Sequence, residues 1–167
     1  MIRLLIIFLF LFSFATSADL QHDPDFVKAV YIEKISRFLT WTVEKEESSE
    51  FNLCISDNSA VEKYLPRLYN DRMIKKKHVN IIRTTDFENA IDCHILYVNK
   101  DNINEAKFLK NHAVVLIGNN DGLENMGTHI NFFNEEKRVR FWINPKSYKD
   151  SGIRVNHLLL SIAKIVR

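Results

Sequence analysis

The sequence predicts an α/β fold: a single layered domain with a largely parallel sheet, helices on both faces and a carboxyl-terminal antiparallel hairpin. Three observations carry that expectation. Short apolar runs alternate along the chain with segments whose apolar residues recur at helical spacing. One run, Ala113 to Ile117, is apolar throughout, as in strands covered on both faces. Thr128 to Asn144 holds two runs of period two around the polar link Asn134–Lys137, which is short enough to pair them antiparallel. In the second run Val139, Phe141 and Ile143 point one way, and Arg138, Arg140 and Trp142 the other.

Taken in order, Asp23-Pro24 caps a helix expected to reach about Trp41, with Phe26, Val27, Val30, Ile35, Phe38 and Leu39 on its core stripe. Phe51 to Ser56 is a short apolar strand. Ser59 to Glu62 has capping-box spacing, and Pro66 should kink or shorten the helix that follows. Residues 70–77 read as a polar loop, with Lys75–Lys77 a solvated run. Val79 and Ile81 mark a second strand and Ile91 to Val98 a third. A short helix begins at Asp101 or Asn102, and Ala113 to Ile117 is the fourth strand. Gly118 to Gly127 is a polar loop before the hairpin. Asn144-Pro145 starts a short helix ended by Gly152, and Asn156 caps a last helix running through Ile165.

The first eighteen residues stand apart. Arg3 precedes the unbroken apolar run Leu4 to Phe12, and Thr16 and Ala18 suit the positions before a cleavage. Residues 1–18 therefore read as a secretory signal peptide, with an uncleaved anchor as the competing reading, and residues 19–167 as one exported, periplasmic domain. The remaining chain has 22 basic and 21 acidic side chains, a net charge of +1 that offers no footprint for nucleic acid. Its two cysteines, Cys54 and Cys93, are expected to be bridged in an oxidising compartment, the alternative being two buried thiols. If the first and third strands are neighbours, as in doubly wound sheets, the bridge is within reach.

Signs of catalysis are missing. The six histidines never share an i, i+4 helix face or a zinc-type spacing with cysteine, so no metal is expected. No glycine-rich loop joins a strand to a helix, which removes the usual nucleotide cofactors. No nucleophile elbow occurs, and Asp57, at a strand's carboxyl end, lacks the acidic pair of a phosphoacceptor domain. The expectation is a protein that is not an enzyme.

Several stretches in order resemble one family. Ala29-Val30-Tyr31-Ile32 with Phe38-Leu39-Thr40-Trp41 resembles its first helix, Leu53 to Asp57 its opening strand, and Cys93 to Val98 its Cys-His strand. The end is the most specific: Ile130-Asn131-Phe132, Val139-Arg140-Phe141, Ile143-Asn144, then Ser151-Gly152 leading to Leu158-Leu159. These stretches resemble the YfiR family of periplasmic proteins. The resemblance implies a repressor that binds the periplasmic sensor domain of an inner-membrane diguanylate cyclase. It further implies a homodimer, release by an outer-membrane lipoprotein, and cysteine bridges that respond to redox conditions. Thr42 stands where the family's proline is usual, Trp142 where an acidic residue is frequent, and a second cysteine pair is absent. Related domains serve other receptors, so a sensory or ligand-binding module acting on a histidine kinase is the second reading.

The hairpin supplies the candidate contact residues. Its polar-facing set either lies under a helix or is partly bare. In the second case Arg140 and Trp142, with Phe133 from the facing strand, form a dimer or receptor surface, because Trp and Arg dominate binding hot spots.

Overall fold

In the computed structural model, which describes residues 23–149 and 151–166, Asp23 opens the first helix by accepting the backbone N–H of Asp25 at 2.9 Å. The proposed signal peptide lies outside the described residues. Strands in chain order are β1 Leu39–Thr40, β2 Glu50–Ser56, β3 Met73–Ile74, β4 Lys77–Thr84, β5 Ile95–Val98, β6 Val115–Gly118, β7 Ile130–Glu135, β8 Arg138–Ile143, β9 Arg154–Val155 and β10 Lys164–Ile165. The α-helices are α1 Pro24–Ser36, α2 Val43–Glu47, α3 Leu65–Tyr69, α4 Ile103–Ala106, α5 Pro145–Lys149 and α6 His157–Ile162. Among the described residues, no helix is long and apolar enough to cross a membrane.

The fold is the mixed α/β sheet that the sequence predicts. Its main sheet has the order β10-β8-β7-β6-β5-β2-β4-β3. Strands β4, β2, β5, β6 and β7 are mutually parallel. Their order, in which the first strand lies between the second and third, is a doubly wound one. The hairpin β7–β8 then turns antiparallel, and β10 adds a parallel strand beyond it. Alternation along β2 sends Phe51, Leu53 and Ile55 to one face, with α1 and α3, and Cys54 to the other. That second face is roofed by Phe87, Ala90, Ile103, Ala106, Leu109 and Leu123, from α4 and short 3-10 turns.

Four boundaries differ from expectation. The first helix stops at Ser36, because Leu39 and Thr40 pair with Val155 and Arg154 and Phe38 accepts the N–H of Asn156. The third and fourth strands start late, behind a 3-10 turn at Glu88–Asp92 and a left-handed Ala113 with φ 55°. The last helix ends at Ile162, since Lys164 and Ile165 leave it to pair with Trp142 and Ile143. Both hairpin turns are tighter than they read: Lys75-Lys76 and Glu136-Lys137 have positive φ throughout, the signature of two-residue type I′ turns.

The Lys75–Lys77 run is not merely solvated. Lys77 donates to the backbone oxygens of Lys45 (2.9 Å) and Glu46 (2.6 Å) at the end of α2, and Lys75 reaches the Glu46 carboxylate at 2.6 Å. Thr42, where the family's proline is usual, sits at φ −61°, the angle that proline would impose, so the departure leaves the backbone unchanged.

Cys54 on β2 and Cys93 just ahead of β5 form a disulfide with Cα atoms 5.9 Å apart. Beside it His94 is buried and fully bonded. Its Nδ1 accepts the Asn52 N–H at 3.1 Å, which leaves the proton on Nε2 to be donated to the Lys45 oxygen at 3.0 Å. Burial holds His94 down to about 4 and His129, which likewise accepts the Leu116 N–H, down to about 3.

Two outcomes follow from this end of the sheet. The oxidised protein should show no alkylatable thiol, and reduction should cost up to about 4 kcal/mol, the chain-entropy value for a loop of this length; the disulfide is absent if two thiols react in unreduced protein. Both histidines are neutral when folded and ordinary when unfolded. Their contribution is therefore whole above about pH 6.5 and is lost as pH falls towards 4, at up to about 1.4 kcal/mol per pH unit for each. Urea midpoints measured from pH 7 to pH 4 should fall, and should fall less for His94→Gln than for the parent.

Candidate functional site

The roof of helices over the second sheet face does not extend over the hairpin. Leu123 packs down beside β6, and Asn131 of β7 is tied to it by donating to the Asn120 oxygen (2.9 Å) and the Glu124 carboxylate (2.7 Å). Beyond Asn131 the outward residues of β7, β8 and β10 belong to neither buried cluster.

Alternation within β8 creates this surface. Val139, Phe141 and Ile143 are buried on the first face, where Phe141 and Phe132 pack against Tyr31 of α1 with ring centroids 6.1 and 6.2 Å away. Arg138 and Arg140 are exposed and Trp142 is half-buried on the other face. Phe133 is the direct cross-strand partner of Arg140, and its ring lies 5.6 Å from that of Trp142. The three residues singled out from sequence, Phe133, Arg140 and Trp142, therefore share one half-open face.

Two further members were not legible in the sequence. Lys164 of β10 places its ammonium 4.9 Å from the Phe133 ring centroid and 5.6 Å from that of Trp142. It also pairs with Glu135, whose carboxyl it holds below the ordinary range, and Arg140 lies 4.0 Å from the same carboxylate. Reading residues 156–165 as helix hid Lys164; the only hint was the β-branched Ile165-Val166 after Ala163. An open cavity of about 470 Å³ adjoins, lined by Glu124, Trp142, Lys164 and Ile165. Leu158 and Ile162 of α6 are 53% and 65% exposed, so apolar surface continues beside the same edge. This is the composition of a protein-contact surface: aromatic centre, charged rim.

A second cavity, of about 580 Å³, lies at the opposite end of the sheet near the disulfide, lined by Lys45, Ser48, Asp92, His94 and His112 among others. Desolvation lowers Lys45 to about 8, and its ammonium donates to the backbone oxygens of Ile91 and Cys93. At the carboxyl ends of β2 and β5, where doubly wound sheets hold ligands, the Asn99 side chain instead bonds the Asp57 oxygen at 3.1 Å.

The family model described as YfiR/HmsC-like matches residues 25–164, nearly all of the described chain. That family comprises periplasmic regulators of cyclic-di-GMP signalling rather than enzymes. No curated protein matches the chain.

The two faces of β8 should respond differently to truncation. Phe141→Ala empties a buried site and should cost about 3–5 kcal/mol in thermal or urea unfolding. Trp142→Ala, on the open face, should cost about 1 kcal/mol or less. A loss of several kcal/mol at Trp142 would make it a core residue.

Proposed function

The chain belongs to the YfiR/HmsC-like family, and from that premise we propose that it is a periplasmic repressor of an inner-membrane diguanylate cyclase. It binds the cyclase's periplasmic sensor domain and holds cyclic-di-GMP synthesis low. The repressor acts by contact alone, with no cofactor and no chemistry of its own. An amino-terminal signal peptide over residues 1–18 delivers it to the periplasm, where it works as a homodimer and an outer-membrane lipoprotein relieves the repression.

The observation that supports a contact mechanism is the unroofed sheet face carrying Phe133, Arg140 and Trp142. A face with an aromatic pair at its centre and arginine at its rim suits docking, since such residues concentrate binding energy. The acidic residue frequent in relatives at position 142 would repel Glu135 and Glu124; tryptophan here shifts the surface towards an apolar partner. A second reading, a ligand-binding module that signals to another receptor such as a histidine kinase, is favoured by the 580 Å³ cavity beside the disulfide.

Affinity capture of the exported protein from membranes decides between them. The repressor reading expects a cyclase with a periplasmic sensor domain, together with raised cyclic-di-GMP when the protein is deleted. Trp142→Ala should lose capture by at least about tenfold at near-parental stability. Capture of a kinase without any cyclase, or unchanged cyclic-di-GMP on deletion, sinks it.

A further inference from the structure

We infer that the outer edge of β8 is a docking edge for an extended acidic segment of a partner protein, which joins the sheet as an added strand. β10 pairs only with Trp142 and Ile143, so it covers just the end of β8. The Val166 N–H donates to the Ile143 oxygen at 2.9 Å, which shows that the polar groups of Ile143 point away from β7. Backbone groups alternate along a strand, so those of Phe141 and Val139 point the same way, while Arg138, Arg140 and Trp142 bond towards β7. The Lys164↔Trp142 register of β10 takes up the Phe141 C=O, and among the described residues no strand pairs with Val139, which leaves its N–H and C=O and the Phe141 N–H facing outward.

Side chains define what fits the edge. A cavity of about 400 Å³ opens between α1 and the edge of the strand, lined by Pro24, Val27, Tyr31 and Val139 on the first face and also by Lys137, Arg138 and Arg140. On the second face stand the exposed Arg138 and Arg140, and Arg138 has no carboxylate partner among the described residues. An added strand sends successive side chains to opposite faces. Its apolar residues would enter the Val27–Tyr31 groove, and its alternate residues would meet the two arginines. The fitting segment therefore alternates apolar with acidic residues, the strand-addition mode in which main-chain bonds supply affinity and side pockets specificity.

Charge also excludes the obvious rival. Two copies of this edge paired about a two-fold axis would bring Arg138 and Arg140 of one against those of the other, and like charges across a ladder repel. An acidic partner removes the repulsion that a second copy creates. The inference extends the proposed partner-binding role but does not depend on the partner being a cyclase.

The test uses the isotope-labelled mature protein and a capped heptapeptide alternating Glu and Val, with a Lys/Val peptide of the same length as control. Amide exchange at Val139 and Phe141 should slow at least about tenfold with the Glu peptide and stay unchanged with the Lys peptide. The double variant Arg138→Glu/Arg140→Glu, altered only at exposed positions, should reverse the preference. Unaltered exchange at both amides up to about 1 mM Glu peptide overturns the inference. So does equal protection by both peptides, or protection that rises with protein concentration alone, which would make the occupant a second copy. Membrane capture that finds no cyclase would sink the repressor reading and leave this result standing.

Discussion

Parallel strands have no turn of their own to hold them in register, so the centre of this sheet depends on what fixes β5 beside β2. Three contacts meet at Cys93 and His94 to do it. The disulfide ties Cys54 to Cys93, the His94 ring accepts the Asn52 N–H, and the Trp41 indole donates to the His94 oxygen at 3.0 Å. The histidine is the joint. It stacks on Phe51 at 4.5 Å and donates its Nε2–H to the Lys45 oxygen of α2, while a proton on Nδ1 would turn the acceptor of the Asn52 N–H into a second donor facing it. Lys77, from β4, closes the same α2 from the other side. One neutral ring thus connects the strand order, the disulfide and the helix α2.

The central strands, the hairpin and the disulfide partners were legible because each leaves a local trace. Period two in β8, an unbroken apolar run in β6, and two cysteines behind a leader-like amino terminus are visible without knowing any distant contact. What failed to show was set by partners far along the chain. Leu39 and Thr40 continue a helical stripe in sequence, yet they are claimed by Val155 and Arg154. Lys164 and Ile165 extend a helix on paper and end as a sheet strand. The turns at Lys75-Lys76 and Glu136-Lys137 lack the Asn-Gly or Asp-Gly that marks a type I′ turn, so their two-residue length was hidden. The face carrying Phe133, Arg140 and Trp142 was legible as a face; that helices leave it open was not, because roofing depends on where α4 and the 3-10 turns end.

The two ends of the strand order are roofed unevenly. Over β2, β5 and β6 both faces are covered by buried apolar side chains. At β7, β8 and β10 the first face still anchors to α1 through Tyr31, Phe132 and Phe141, while the second face and the strand edge stay open. A strand face whose other side is core is stiff, so the contact proposed for it would cost little ordering entropy.

The two tryptophans also divide between these regions, and this has a practical consequence. Trp41 is buried and edge-on to Phe51 and His94, in a place where its indole sees almost no water. Trp142 is half-open, under the Lys164 ammonium. With no third indole in the chain, intrinsic fluorescence splits into a blue-shifted component that follows the sheet centre and a red-shifted one that follows the open face. The molecule carries its own pair of optical reporters, one for the buried sheet centre and one for the open face, and needs no label to tell the two apart.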